Sequence, residues 1–217
     1  MGTDEIFLKP GFFVDSDQED IIEFAHETVQ GLSTNHEKAL ALYYRVRDGI
    51  LYNPYVTDFE PETLKASTAL REQKSFCVPK AALLAASARA LGIRARLGFA
   101  NVKNHLMSKR LADALQSKTV AFHGYTELYL HEKWVKATPA FHARMCKLFR
   151  VKPLEFDGYH DSIFHENSGR GERFMEYLVD HGSFADIPYE QMIDEYKKVY
   201  PHWFSNGKLV LHEQLNH

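Results

Sequence analysis

Between Ala81 and Gly92 only Ser87 and Arg89 are polar. That leaves no solvated face, so the run predicts a buried helix with Leu84, Ala88 and Leu91 on one stripe. Pro79 suits its first turn and Gly92 a left-handed stop. Downstream the period shortens to two: Ile93, Ala95, Leu97 and Phe99 alternate with Arg94 and Arg96. From Val120 to Leu130 the set Val120, Phe122, Thr126, Leu128 and Leu130 alternates with Ala121, His123, Tyr125, Glu127 and Tyr129. Both read as strands, the second with Gly124 as its weak point. A polar turn over His131, Glu132 and Lys133 leads into a strand from Trp134 to Ala137, stopped near Pro139, which makes a hairpin. Ser16 with Glu19 and Thr34 with Glu37 read as capping boxes, opening helices over Asp17 to Gln30 and on through Val46. Ala39, Leu42, Tyr43, Val46 and Ile50 give the second of these a buried face. Helical patterns also cover Pro61 to Leu70, Lys109 to Gln116, Glu172 to Asp180 and Tyr189 to Val199. A loop is expected around Asp157, Asp161 and Asn167.

At 217 residues, 45% hydrophobic and 25% charged, the chain has the composition of a globular protein, and a single domain is expected over 1–217. A formal charge of -3 argues against general nucleic-acid binding. Lys103, His105, Lys109 and Arg110 form only a modest basic cluster. No apolar run reaches bilayer length and Met1 to Val14 lacks a signal-peptide pattern, so no membrane partner and a cytoplasmic location are expected. Cys77 and Cys146 form no close pair, which agrees with a reducing compartment, although a bridge between them would silence either thiol. Asp15, Asp17 and Glu19 mimic the start of a calcium loop, but Asp20 and His26 stand where glycine and glutamate belong. His160 and His165 with Asp157 and Asp161 match no zinc spacing. No metal and no cofactor is expected.

Cys77 opens the apolar helix, where unpaired N–H groups and the helix dipole favour thiolate, with Lys74 and Lys80 expected to add positive charge. The structural alternative is a small buried hydrophobe. A thiol nucleophile needs a base within hydrogen-bond reach and a third group to hold that base. His123, on the later strand, and the end of the next strand stand in the right chain order. Gln73 is a candidate second oxyanion donor beside the Cys77 N–H.

The stretch Phe76-Cys77 through Gly92-Ile93-Arg94-Ala95-Arg96 resembles the core of the transglutaminase-like superfamily. His123 with Glu127 resembles that family's His-x-x-x-Glu strand, Trp134 to Pro139 its Trp strand ending in Asp-Pro, and Tyr43 to Tyr55 the segment before its nucleophile. The resemblance, to a bacterial-type member, covers about the middle half of the chain. It implies an α+β, papain-like fold: an N-terminal helical lobe, the nucleophile at the head of a buried helix, an antiparallel sheet carrying the His, a core over about 35–141, and a helical C-terminal extension over 142–217. It also implies Cys77 as nucleophile and His123 as base, with Thr138 in the third position, where the family has Asp. A threonine hydroxyl hydrogen-bonds but cannot stabilise imidazolium by charge. Ser75 likewise replaces a common glycine. The implied chemistry is acyl transfer from an amide or peptide-type bond through a thioester, with hydrolysis preferred to transamidation and a peptide, protein or small amide as substrate. The alternative is a non-catalytic module of the same fold that binds peptide or protein. Oligomeric state is not readable from these residues.

Overall fold

A computed structural model describes residues 4–55, 58–149, 151–164, 174–205 and 208–209. Its elements in order are α1 (Glu19–Thr28), α2 (Asn35–Gly49), β1 (Leu51–Tyr52), α3 (Ala66–Glu72), β2 (Lys74–Ser75), α4 (Cys77–Ala90), β3 (Ala95–Asn104), α5 (Lys109–Leu115), β4 (Thr119–Leu130), β5 (Lys133–Ala137), α6 (Ala143–Phe149), β6 (Met175–Phe184), α7 (Tyr189–Val199), β7 (Phe204–Ser205) and β8 (Lys208–Leu209). This is a mixed α+β fold around a four-stranded antiparallel sheet of order β5-β4-β3-β6.

Helix α4 is the axis of the core. Every residue from Cys77 to Arg89 is buried, because the helix packs against α1, α2 and α3 and also against β3 and β4. It ends as its sequence predicts, with Gly92 at φ 75° and the N–H of Ile93 returning to Ala88 O at 2.9 Å. Two buried cations tie it down. Lys80 Nζ donates to Arg47 O at 3.0 Å and to Ile50 O, holding the end of α2. Arg89 donates to Ala95 O, Lys9 O and Ala185 O, joining both chain ends to the start of β3. Gly124 is a close-approach residue rather than a strand defect: a Cβ there would stand 3.0 Å from Val78 Cα. Thr126 Oγ1 completes the strand-to-helix seam by donating to Ala81 O at 2.8 Å. The irregularity in β4 lies at Phe122, whose φ is 52° and whose N–H is taken by Asn101 Oδ1 at 3.0 Å. Pairing with β3 slips at the same place, between Ala100 and Val102.

The Thr34–Glu37 capping box is present. The Ser16–Glu19 box is not: Gln18 precedes α1 without a side-chain cap, since the Ser16 N–H turns back to Val14 O and Asp15 is drawn to the N–H and Oγ of Ser67. Pro61 to Leu70 divides at extended Lys65 into a short 3-10 turn and α3. The β4–β5 hairpin turns through His131 and Glu132, at φ 49° and 62°, values suited to a two-residue turn.

The main correction concerns Glu172 to Asp180. Within it Met175 to Asp180 are not helical but lie in β6, the edge strand beside β3. Phe174, Tyr177 and Val179 fit a pleated surface better than a helix, and the free edge of β3 supplies the partner. The chain after residue 142 thus contributes a sheet strand as well as helix α7.

Candidate active site

The parallel pairing of β1 with β2 sets Leu51 beside Lys74 and Tyr52 beside Ser75, so the chain leaving α2 passes the head of α4. Cys77 is the first residue of that helix, after extended Phe76. Backbone N–H groups of Gly124, Val78 and Cys77 favour its thiolate, but desolvation outweighs them and pushes the thiol up to about 11. Lys80 contributes nothing here, because its ammonium faces the carbonyls of α2, and Lys74 is exposed.

His123 sits on β4 one peptide before Gly124, whose N–H faces the sulfur. Burial pushes its imidazole down to about 4. Its ring packs at 5.4 Å from that of Phe164. Cys77, His123 and Thr138 are each buried, at 4%, 3% and 1% exposed. No hydrogen bond joins any two of them among the described residues. Only three buried side-chain N or O atoms there lack a partner, and two are His123 Nε2 and Thr138 Oγ1, the third being Ser87 Oγ. Thr138 engages through its backbone alone, donating its N–H to Ser162 O at 3.0 Å and accepting from Tyr43 Oη at 3.3 Å.

Other candidates are committed elsewhere. Glu127 pairs with Arg96 and accepts from Ser183 Oγ at 2.9 Å. Gln73 Nε2 donates to Leu70 O at 2.6 Å, capping α3. Tyr125 lies against Gly98, away from the thiol, whereas Phe76 borders it. His105 pairs with Glu176 at 3.1 Å. His160 bonds Asp157 at 2.7 Å, while His165 and Asn167 lie outside the described residues. Cys77 and Cys146 are both free.

The sequence reading missed what covers the thiol. Cys77 borders a cavity of about 50 Å³ whose walls include Phe59, Tyr196, Tyr200 and Trp203. Tyr200 Oη accepts from Ala121 N and donates to Thr119 O, each at 2.8 Å, fastening the end of α7 to β4. His123 borders a different cavity, of about 120 Å³. Tyr52, Pro54, Leu111 and Val120 line both and form the partition. The aromatic density of residues 189–204 was the available signal for this cover, but periodicity alone does not say which surface an amphipathic helix will meet.

The model of the transglutaminase-like superfamily matches residues 22–139, more than half of the chain and the part that carries Cys77, His123 and Thr138. No curated protein matches. Among solved structures, a proposed cysteine protease from Cytophaga hutchinsonii is 18% identical with a TM-score of 0.55, over 88% of this chain and 50% of that one. A proposed protease from Parabacteroides distasonis is 14% identical with a TM-score of 0.38, over 58% of this chain and 26% of that one. This chain therefore spans half or less of the length of either. The first likeness extends the fold comparison beyond the family match, and with that match the chain belongs to the transglutaminase-like superfamily.

Proposed function

We propose that this chain is a cysteine-nucleophile acyl-transfer enzyme that hydrolyses an amide or peptide-type bond, and that the closed arrangement is its resting state. The observation that carries this reading is the pair of unpartnered atoms at the family's base and orienter positions, His123 Nε2 and Thr138 Oγ1. Leaving a buried polar group unpaired costs about 1–3 kcal/mol, and such atoms call for an explanation beyond packing. A substrate and an attacking water would supply the missing partners.

In the proposed reaction His123 takes the Cys77 proton as sulfur bonds to the acyl carbon. The N–H groups around Sγ face the developing oxyanion. The C–N bond then breaks as the imidazolium gives its proton to the departing nitrogen, and water, deprotonated by His123, resolves the thioester. Moving a proton from a thiol at about 11 to an imidazole at about 4 costs on the order of 10 kcal/mol. A turnover of 1–10³ per second permits a total barrier of about 13–17 kcal/mol. Displacement of the aromatic cover would rehydrate the pair and lower this cost, and we take it as the first step. With both cysteines free, a reducing compartment such as the cytoplasm suits this chemistry, and we treat 1–217 as one transglutaminase-like domain with its core over about 35–141.

The second reading is a non-catalytic domain that binds peptide or protein, favoured by the cover of Tyr196, Tyr200 and Trp203 over the thiol. Release of p-nitroaniline from a panel of N-acyl p-nitroanilides, with hydroxylamine added to trap acyl groups as hydroxamates, separates the two. The enzyme reading requires release by the wild type and none by Cys77→Ala. Release equal in both proteins, or absent from both, supports the binding module.

A further inference from the structure

The reading above assigns the residues to a reaction, and the placement of the two cavities says more about the substrate. His123 gives its proton to the departing nitrogen, so whatever that nitrogen carries must lie on the imidazole side of the scissile bond. The acyl portion lies on the thiol side. On the imidazole side the structure holds the cavity of about 120 Å³ bordered by His123 and not by Cys77. Its walls include Val102, Met107, Leu111, Phe141, Phe174 and Met175, an apolar lining. Of its polar side chains, Asn104 Oδ1 accepts from Leu106 N at 3.0 Å and Ser108 Oγ from Leu111 N at 3.3 Å, and Tyr52, Tyr55 and Cys146 also border it. His123 borders this cavity, and its Nε2 is buried and unpartnered. An apolar cavity of about 150 Å³ admits benzene, so this one suits a short alkyl or small aromatic group.

We propose that the cavity beside His123 receives an apolar substituent carried on the nitrogen of the scissile amide, so that the substrates are amides or peptides with an apolar amine-side group. His123 first takes the Cys77 proton and then, as imidazolium, donates it to the amide nitrogen whose apolar substituent occupies the cavity. The proposal rests on the acyl-transfer reading, and the test keeps the two separable.

N-butylacetamide and N-methylpentanamide have the same atoms but carry the butyl group on opposite sides of the amide. Their dissociation constants for full-length Cys77→Ala, which cannot turn them over, are measured by ligand-observed NMR titration. Each methylene withdrawn from water is worth about fourfold in affinity, so N-butylacetamide should bind at least roughly tenfold tighter. Met107→Trp fills the cavity and should erase the difference. Met107→Ala enlarges it and should move the preference to longer N-alkyl groups. Equal affinities, a preference for N-methylpentanamide, or indifference to both Met107 changes would overturn the proposal. A wild type acylated at Cys77 without isomer preference refutes the amine-side cavity and leaves the enzyme reading standing. Isomer preference without acylation overturns the leaving-group assignment together with the enzyme reading.

Discussion

Desolvation moves Cys77 and His123 in opposite directions, and both end neutral in the closed site: the thiol rises to about 11 and the imidazole falls to about 4. Cys77 should therefore react with iodoacetamide at pH 8 at least about tenfold more slowly in the folded protein than in urea, as followed by mass spectrometry in a Cys146→Ala background. His123 carries a linkage of definite sign. Its folded pKa lies below the ordinary value of 6.5, so the unfolded chain binds the extra proton first as pH falls. Stability should then drop by up to about 1 kcal/mol per pH unit from about 6.5 towards 4. Urea titrations across that range should show a shallower drop for His123→Gln, and an unchanged slope would mean that the imidazole is not buried neutral. Thr138→Asp restores a charge that can support imidazolium, so anilide release should rise by roughly tenfold or more. Cys77, His123 and Thr138 were legible as residue types at the positions where the family resemblance puts its nucleophile, base and third residue. Their protonation was not, because burial belongs to the packed molecule and not to the local sequence.

At the level of elements, the cover on Cys77 is held by contacts distant in sequence. The Asp186 carboxylate, in the turn between β6 and α7, accepts from the N–H groups of Phe12, Phe13 and Val14 at 2.7, 3.1 and 2.9 Å. Tyr189 Oη donates to Phe59 O at 3.0 Å. Removing the carboxylate takes the acceptor from these three N–H groups and from that of Ile187, so Asp186→Ala should cost about 2–3 kcal/mol and accelerate Cys77 alkylation under native conditions. Destabilisation without faster alkylation would separate this anchor from the cover. The strong periodic elements, α2, α4 and the β4–β5 hairpin, were readable because pattern, cap and turn residues agree. Residues 175–180 were not. Glu176, Tyr177 and Leu178 suit either period, and the open edge of β3 decides between them.

In the whole molecule, α4 carries Cys77 at its head and is wedged between the helices and the sheet. The partition between the two cavities is made by Tyr52, supplied by β1, and by Val120, supplied by β4. The proposed catalysis would require this assembly to open without losing the seam at Gly124. Gly124→Ala would press a Cβ against Val78 Cα, which is backbone that cannot rotate away, and should cost about 1–3 kcal/mol, measurable by thermal or urea unfolding. The proposed reaction requires Cys77 to take up an acyl group with the help of His123. Acid-quenched intact mass spectrometry of the full chain, mixed with an N-acyl p-nitroanilide cleaved in the panel above, reads that step directly. The account predicts an acyl-mass adduct mapping to Cys77, absent from Cys77→Ala and formed far more slowly by His123→Ala. An adduct that forms equally well without His123, or no adduct at Cys77 with any member of the panel, would contradict it.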